Sequence, residues 1–264
     1  MRPIRVFSDE PLAPRRESAL SPAASGHVLR VLRLRAGDAL TLFDGRGGEY
    51  PARIVRAGKQ GVAVVTEDRI DIERESPLSI TLLQGLVRGE KMDWIVQKAT
   101  ELGIARIIPV ATARSVMRIE PGERGGRKVA HWHAVAAAAC EQCGRNRLPA
   151  IDAPMDLPAA LAVAETSADV RLLLSPQGEG SLATAASAAN VALLIGPEGG
   201  FEEPEVAAAV RHGFRTVQFG PRVLRTETAA IAALTALQVL AGDLIGAGVS
   251  VIRLLGRSAP SITE

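Results

Sequence analysis

An apolar run breaks into a glycine-rich turn in the stretch Leu193-Leu194-Ile195-Gly196-Pro197-Glu198-Gly199-Gly200-Phe201. The same transition recurs further along, in Phe219-Gly220-Pro221-Arg222-Val223-Leu224-Arg225-Thr226-Glu227-Thr228-Ala229-Ala230. Each stretch is typical of a buried strand that ends where a helix begins. Ligands of open α/β sheets bind at the carboxyl ends of such strands, where glycines let the backbone approach a ligand closely. We therefore expect an α/β fold with a binding site at these two loops.

The composition of the first loop narrows the class of ligand. Gly196, Gly199 and Gly200 could simply make a tight turn, and a single loop of this kind favours that interpretation. Two such loops in one domain favour a site. Neither matches the glycine patterns of phosphate-binding loops or dinucleotide-binding folds. Glu198 would repel a pyrophosphate but suits a cationic ligand such as S-adenosylmethionine, which carries a sulfonium and an ammonium group.

Length and composition indicate a globular protein. The chain has 264 residues, of which 47% are hydrophobic and 23% charged, so it can form one large domain or two ordinary ones. No apolar run approaches the roughly 20 residues of a bilayer-spanning helix. The first residues lack the apolar stretch of a signal peptide. We expect a cytoplasmic protein with no membrane partner.

Charge is distributed unevenly, although the net charge is only +2. Residues 1–35 contain seven arginines and three acidic residues, and residues 105–147 contain eight Lys or Arg and three acidic residues. Residues 151–219, in contrast, contain nine acidic residues and three arginines. Basic segments rich in arginine suit a nucleic acid, because the guanidinium group pairs with phosphates and stacks on bases. Solvated surface charge is the alternative, and for a single basic segment it is the more common explanation.

The two cysteines, Cys140 and Cys143, form a C-x-x-C pair. A structural zinc site needs four ligands, yet the chain has no second C-x-x-C, and His131 and His133 show no clear chelating arrangement. A redox-active pair usually opens a helix, whereas this one ends an alanine-rich helical segment. We expect reduced, partly buried thiols and no bound metal.

Two structural patterns divide the chain. Residues 1–75 contain short strands, with a hairpin signal at Asp44-Gly45, and predict a small β-barrel. Residues 76–256 alternate strands with helices, which predicts a mostly parallel sheet with helices on both faces. A flexible tail is expected at residues 257–264. The expected strands are residues 2–7, 39–43, 49–55, 61–66, 80–87, 106–110, 170–174, 191–195 and 216–219, and the expected helices are residues 27–32, 92–102, 128–143, 204–212 and 227–245.

Four motifs in this order resemble one known family. They are residues 194–201 and 224–230 of the two loops, residues 89–103 (GEKMDWIVQKATELG), and residues 141–145 (EQCGR) with Pro149. Together they resemble the ribosomal RNA small subunit methyltransferase E family, SPOUT-class enzymes that methylate N3 of one uridine in 16S rRNA. The resemblance extends over essentially the whole chain.

The resemblance implies a trefoil-knotted SPOUT α/β domain preceded by a PUA-like RNA-binding β-barrel. It also implies a homodimer with S-adenosylmethionine bound near the subunit interface, acting on 16S rRNA within the small ribosomal subunit. The last predicted helix could supply that interface through its apolar residues, although packing within the chain would explain them equally well. These residues are Ile231, Leu234, Leu237, Val239 and Leu240.

The resemblance further implies roles for individual residues. The cofactor would be held largely by backbone atoms of Leu173, Leu174, Ser175, Leu194, Ile195, Gly196, Pro197, Glu198, Gly199, Gly200, Leu224, Arg225, Thr226, Glu227 and Ala229. The candidates for catalysis are Arg225, Glu141 and Arg145, the last two beside Asn146 at a helix end that could receive an RNA base. The candidates for RNA docking are Arg2, Arg5, Arg30, Arg33 and Arg114.

Two other functions stay open from the sequence. A SPOUT-type RNA ribose 2′-O-methyltransferase would use the same loops, although the predicted barrel and the Glu141-Gln142 segment disfavour it through the resemblance. A non-catalytic RNA-binding protein with a relic cofactor pocket is the second alternative. The intact glycine loops disfavour it, because a relic would be free to lose them.

Overall fold

A computed structural model describes residues 3–115 and 123–245. The chain divides into two compact units, the first formed by residues up to 75 together with 133–148 and the second by the rest. Residues 133–148, which the strand-and-helix pattern assigned to the second domain, thus belong to the first unit. Arg2 and the predicted tail at 257–264 lie outside the described residues. Within those residues, no helix is both long and apolar enough to cross a bilayer.

The first unit is built on one five-stranded sheet. Its elements are β1 (Arg5–Phe7), β2 (Glu17–Ala19), α1 (Pro22–Gly26) with a π-helical turn at His27–Val31, β3 (Ala39–Phe43), β4 (Tyr50–Gly58) and β5 (Gly61–Thr66). The strand order is β1-β3-β4-β5-β2, in which β1 is parallel to β3 and the other pairs are antiparallel. The predicted hairpin at Asp44-Gly45 is confirmed, since β3 and β4 are antiparallel neighbours.

Alternating side chains build the core of this unit. Tyr50, Ala52 and Ile54 of β4 are buried while the residues between them are more exposed, which is the period of a strand with one face on a core. They pack with Val6 of β1 and Leu42 of β3, among others. The sequence predicts β1, β3, β4 and β5 of this unit, whereas β2 and α1 were not predicted.

A buried ionic cluster lies in the same unit. The guanidinium group of Arg5 donates to the carboxylate of Glu49, to the Arg145 carbonyl oxygen (3.0 Å) and to Asn146 Oδ1 (2.5 Å), and it lies 4.7 Å from the centre of the Phe43 ring. The side chains of Arg5 and Glu49 are 8% and 9% exposed. Burial alone would raise the pKa of Glu49, but the hydrogen bond and charge of Arg5 hold it below its ordinary value.

The two cysteines lie in this unit as free thiols, as predicted, with Cys140 buried and Cys143 half-buried. A hydrogen bond between them, together with burial, raises the pKa of the Cys140 thiol. A thiol that stays protonated is a poor nucleophile and a poor metal ligand.

The second unit is a seven-stranded parallel sheet with helices. The elements are β6 (Ser79–Gly85), α2 (Gly89–Glu101), β7 (Arg106–Ala111), α3 (Glu123–Cys143), β8 (Ala150–Ile151), β9 (Met155–Asp156), α4 (Leu157–Ser167), β10 (Val170–Leu174), β11 (Asn190–Ile195), α5 (Glu203–Arg211), β12 (Arg215–Val217) and α6 (Thr226–Leu240). The strand order is β12-β10-β11-β6-β7-β8, with β9 also paired to β7. Helix α3 begins in this unit and ends in the first.

Local sequence explains most of these elements. The central strand β11 is buried from Val191 to Ile195, as expected of a parallel strand covered on both faces. Helix α2 buries one face and is followed by Gly103, whose φ of +78° is the left-handed conformation that glycine adopts at helix ends. Helix α5 begins with a capping box formed by Glu202 and Glu205.

The second unit differs from the sequence prediction in two helices and two short strands. Helix α6 ends at Leu240 rather than near residue 245, because the chain folds back and the amide groups of Gly242 and Leu244 both donate to the Gln238 carbonyl oxygen. Helix α4 was not predicted, although Asp156 caps it by accepting from the Ala159 amide. The two-residue strands β8 and β9 were not predicted either.

We predict that Glu49→Gln lowers the unfolding free energy of the first unit by about 3 kcal/mol, because the Arg5 charge would stay buried without its counterion. Native-state hydrogen exchange of the amides of β3, β4 and β5 measures this unit separately. The pKa of Glu49 is depressed, so its contribution is complete above its ordinary pKa of 4.5 and is lost as the pH falls below that value. The difference between variant and wild type should therefore shrink in acid.

The matched control is Asp68→Asn, which breaks an exposed ion pair with Arg15 (2.7 Å) in the same unit. It should leave the exchange rates unchanged, since exposed ion pairs contribute little to stability. Equal effects of the two substitutions would contradict the assignment of Glu49 to a buried cluster that stabilises the unit.

Candidate functional site

A cavity of about 630 Å³ lies in the second unit where three strands end. Its walls are the segments that follow β10 (residues 174–177), β11 (residues 195–201) and β12 (residues 218–226). Because β10 lies between β11 and β12 in a parallel sheet, the carboxyl ends of all three strands meet at one edge. This is where open α/β sheets bind ligands.

Close backbone approach, made possible by glycines, shapes the walls of the cavity. A Cβ added to Gly85, at the end of β6, would lie 2.5 Å from the Pro197 nitrogen. One added to Gly178 would lie 2.4 Å from the Val217 carbonyl carbon. Real Cβ atoms do not approach other atoms so closely, so either side chain would displace a loop. Gly200 has a φ of +69°, which other residues rarely adopt.

Hydrogen bonds join the loops to one another. The Ser175 amide donates to the Val217 carbonyl oxygen (3.0 Å), which ties the segment after β10 to the end of β12. The Thr226 hydroxyl donates to the Gly196 carbonyl oxygen (2.6 Å), which ties the start of α6 to the segment after β11. The walls are therefore fixed by contacts between residues that are distant in sequence.

Charged groups of both signs line the cavity. Lys91 Nζ lies 3.0 Å from Glu198 Oε1 and 3.7 Å from Glu227 Oε2, so one ammonium group contacts two of the loops. Burial would raise the pKa of Glu198, but its own backbone amide and Lys91 hold it below its ordinary value, so the carboxylate is charged near neutral pH. Arg114 Nη1 donates to the Gly199 carbonyl oxygen (3.0 Å).

Most of the predicted cofactor residues line the cavity. These are Leu174, Ser175, Ile195, Gly196, Pro197, Glu198, Gly199, Gly200, Leu224, Arg225, Thr226 and Ala229. Leu173 and Leu194 are buried inside their strands, and Glu227 contacts Lys91. Arg114, predicted for RNA docking, lines the cavity as well.

Several residues of this site were not predicted from the sequence. Lys91 belongs to the motif at residues 89–103 and lies in the first turn of α2. Its place in that motif is the one sequence signal that could have indicated a contact with the glycine-rich loop. Gly85 and Gly178 lie close to strand ends, but nothing in their local sequence shows which backbone approaches them. Phe219 and Gln177 also line the cavity.

The remaining predicted residues lie in the first unit. Arg145 is buried, and its guanidinium group forms an ion pair with Glu75. Burial would lower the pKa of Arg145, but the bond and charge of Glu75 raise it, so the group stays charged. Glu141 accepts a hydrogen bond from the Phe7 amide (2.9 Å). Arg30 and Arg33, in contrast, are exposed.

Arg225 lies at the edge of the cavity as the residue that precedes α6. Its backbone is extended, and its carbonyl oxygen accepts from the Ala229 amide (2.8 Å) in the first turn of the helix. The backbone is thus fixed while the side chain is exposed. Such a guanidinium group can approach an anionic or carbonyl oxygen of a ligand in the cavity.

Two family models match the chain. A model described as an RNA methyltransferase domain matches residues 74–238, and one described as an RNA methyltransferase PUA domain matches residues 20–67. Among curated proteins, ribosomal RNA small subunit methyltransferase E of Buchnera aphidicola from Acyrthosiphon pisum is 30% identical over 90% of this chain and 94% of its own length. The protein of the same name from Bacillus subtilis is 31% identical over 82% of this chain and 89% of its own length.

Solved structures agree with these matches. A Legionella pneumophila protein in complex with bound SAM is 40% identical, with a TM-score of 0.88 over 92% of this chain and all of its own. Ribosomal RNA small subunit methyltransferase E of Neisseria gonorrhoeae, bound to S-adenosyl methionine, is 33% identical, with a TM-score of 0.83 over the same shares. The predicted fold class, a PUA-like domain followed by a SPOUT-type α/β domain, is confirmed. The trefoil knot stays a prediction.

Proposed function

This chain belongs to the ribosomal RNA small subunit methyltransferase E family, and we propose that it methylates N3 of one uridine in 16S rRNA. S-adenosylmethionine is the methyl donor of the family, as the structures of its relatives indicate. The observation that carries the proposal is the cavity at the carboxyl ends of β10, β11 and β12, because the loops recognised in the sequence form its walls. The assignment of uridine as the substrate base, and of N3 as its methylated atom, is based on the resemblance to the family.

The cavity fits S-adenosylmethionine in size and chemistry. About 630 Å³ lies within the range of roughly 300–1,000 Å³ that small-molecule sites occupy. Main-chain atoms of the glycine-containing segment 195–200 would hold the ligand, with apolar contact from Leu174, Leu224 and Ala229. Glu198 supplies a carboxylate for its cationic part. When bound, the cofactor supplies a methyl group activated by the sulfonium.

Arg225 is the residue we propose to act on the uridine. N3 of uridine carries a proton at neutral pH, and negative charge develops on the neighbouring carbonyl oxygens as that proton leaves. A guanidinium group beside such an oxygen stabilises the charge, in the manner of an oxyanion hole. N3 also faces the partner base in a duplex, so the target uridine must be unpaired or flipped out to reach Arg225.

RNA docking is proposed for exposed arginines of both units. Arg30 and Arg33 of the first unit and Arg114 and Arg222 of the second are exposed and can contact phosphates, which position RNA without choosing the base. Arg5 does not suit this role, because its guanidinium group is buried against Glu49. Specificity for one uridine would then depend on the folded shape of the rRNA.

Glu141 and Arg145 are better explained as structural residues than as groups that contact the base. Each is occupied inside the first unit, Glu141 by the Phe7 amide and Arg145 by the Glu75 carboxylate. Removing either contact would take a hydrogen-bond partner from a buried or half-buried group, which costs stability. We therefore propose that they maintain the end of α3.

A homodimer remains part of the proposal. Leu234 and Leu237 of α6 are buried within the chain, so this part of the apolar face predicted for an interface belongs to the core, whereas Ile231 and Leu240 are only partly buried. Val239 of the same helix and Trp94 of α2 are 37% and 42% exposed. These two apolar side chains are the ones we propose to contact a second copy.

The product identifies the reaction. We predict that small ribosomal subunits incubated with the protein and labelled S-adenosylmethionine, then digested to nucleosides, give uridine labelled on the base at N3. Mass spectrometry distinguishes this from a label on ribose. Label on the sugar would contradict the proposal and favour the 2′-O-methyltransferase alternative, and an unlabelled product with cofactor bound would favour a relic pocket.

We predict that Gly85→Ala weakens S-adenosylmethionine binding by at least about tenfold, a loss of about 1.4 kcal/mol. The added methyl group would lie 2.5 Å from the Pro197 nitrogen and must displace the segment after β11. Calorimetry measures the affinity. Gly126→Ala in α3 is the control, because a Cβ there meets no atom within 4 Å, and its affinity should equal that of the wild type. Wild-type affinity in Gly85→Ala would contradict this arrangement of the loops.

We predict that Arg225→Ala lowers the rate constant of methyl transfer by about 10²–10³ with little change in cofactor affinity, because the lost interaction forms only as charge develops on the base. Single-turnover methylation of small subunits measures the effect. Arg211→Ala removes an exposed arginine at the end of α5, outside the cavity, and serves as the control. An equal loss in both variants would mean that Arg225 acts only through the overall positive charge of the protein and not through a contact with the base.

A further inference from the structure

Gln84 is a polar side chain in an otherwise apolar setting. It lies at the carboxyl end of β6, next to Gly85, and is 0% exposed. In the sheet it pairs with Ile195, the last residue of β11, from which the glycine-rich segment continues. A buried amide is unfavourable unless its hydrogen-bonding groups find partners. The partners of Gln84 therefore show what its side chain holds in place.

The amide group of Gln84 starts a directed chain of hydrogen bonds. Its Nε2 donates to the Gly85 carbonyl oxygen (3.0 Å) and to the Thr226 hydroxyl oxygen (3.0 Å). Because Thr226 Oγ1 accepts from the amide, its own proton is free to point to the Gly196 carbonyl oxygen, which lies 2.6 Å away. Thr226 is itself only 6% exposed. The chain runs from β6 through the first residue of α6 to the first residue after β11.

Two members of this chain, Thr226 and Gly196, belong to walls of the cavity. Gly196 begins the segment after β11, and Thr226 ends the segment after β12. The chain links the two segments by hydrogen bonds, in addition to the contacts that Lys91 makes with Glu198 and Glu227. Since a shift of about 1 Å in a positioning group can cost two orders of magnitude in rate, the register of these two loops matters for catalysis.

The carbonyl oxygen of Gln84 argues against a role in stability. Oε1 is buried, and no donor among the residues that the structure describes reaches it. An unpaired buried acceptor destabilises a fold, and an apolar side chain of similar shape would avoid that cost. We therefore expect that Gln84 holds the loops in place through its Nε2 group while its unpaired Oε1 lowers the stability of the fold.

We propose that Gln84 is a positioning residue, which acts through Thr226 to set the cofactor loops in register for methyl transfer. The inference rests on the proposed function, because it assumes that these loops bind the methyl donor. Neither Gln84 nor Thr226 is required to touch the substrate base. Their effect reaches the reaction through the position of the Gly196 carbonyl group and of Arg225, the residue that precedes Thr226.

The test compares Gln84→Met with the wild type in melting temperature, S-adenosylmethionine affinity and single-turnover rate. We expect an unchanged or higher melting temperature, since the orphaned acceptor is removed, together with about tenfold weaker cofactor binding. A lower melting temperature with normal affinity and rate would assign Gln84 to the fold alone and overturn the proposal. If the wild-type protein itself binds no cofactor, the proposed function fails first.

Thr226 provides a conservative pair of variants. Thr226→Val removes the hydroxyl group and should weaken cofactor binding as Gln84→Met does, whereas Thr226→Ser keeps the hydroxyl and should restore it. The double variant Gln84→Met/Thr226→Val should be no weaker than either single one, because both break the same chain. Additive losses would contradict the proposal.

Thr235→Val is the matched control. It removes another threonine hydroxyl from α6, one that donates to the Ile231 carbonyl oxygen (2.8 Å) within the helix and belongs to a residue that is not among those lining the cavity. Its cofactor affinity should equal that of the wild type. A loss as large as that of Thr226→Val would show that any change in α6 disturbs the cavity, and would overturn the specific role of the chain.

Discussion

The site depends on the parallel pairing of β6 with β11 and on the absence of a side chain at Gly85. The pairing sets Gln84 opposite Ile195, so the segment after β11 leaves the sheet directly over the end of β6. Gly85 then allows the Pro197 backbone to pass at a distance that no Cβ would tolerate. Parallel strands on the other side, β10 and β12, bring two further loops to the same edge. The strand order and the absence of a side chain at Gly85 shape the cavity more than any single functional side chain does.

The two units use charge in different ways. In the first, Arg5 and Arg145 are buried against carboxylates, so these two positive charges are structural, whereas Arg30 and Arg33 are exposed. In the second, Lys91 contacts carboxylates of two loops at the cavity wall, while Arg114 and Arg225 are exposed beside it. We propose that a cationic cofactor and an anionic RNA both bind beside these groups, which carry charges of both signs. The balance suits a site that must hold a positively charged donor close to a polyanion.

The sequence predicts the strands and the loops well where the information is local. The apolar run before Gly196 and the alternation in β4 are both visible in short windows. Helix α4 was not predicted, because its alanines and leucines make its two faces similar in hydrophobicity. Asp156 and Pro158 nevertheless mark its start. The contacts of Gln84, Gly85 and Arg5 could not be predicted from the sequence for another reason. Their partners are remote in sequence, and an arginine count cannot tell a buried ion pair from an exposed phosphate ligand.

We propose that the turns after β10, β11 and β12 enclose the methyl donor. Diffraction from crystals of the protein grown with S-adenosylmethionine would locate it. We expect electron density for the donor against the backbone of residues 195–200, with its sulfonium methyl group open toward Arg225. Density for the donor bound anywhere else on the chain would contradict it.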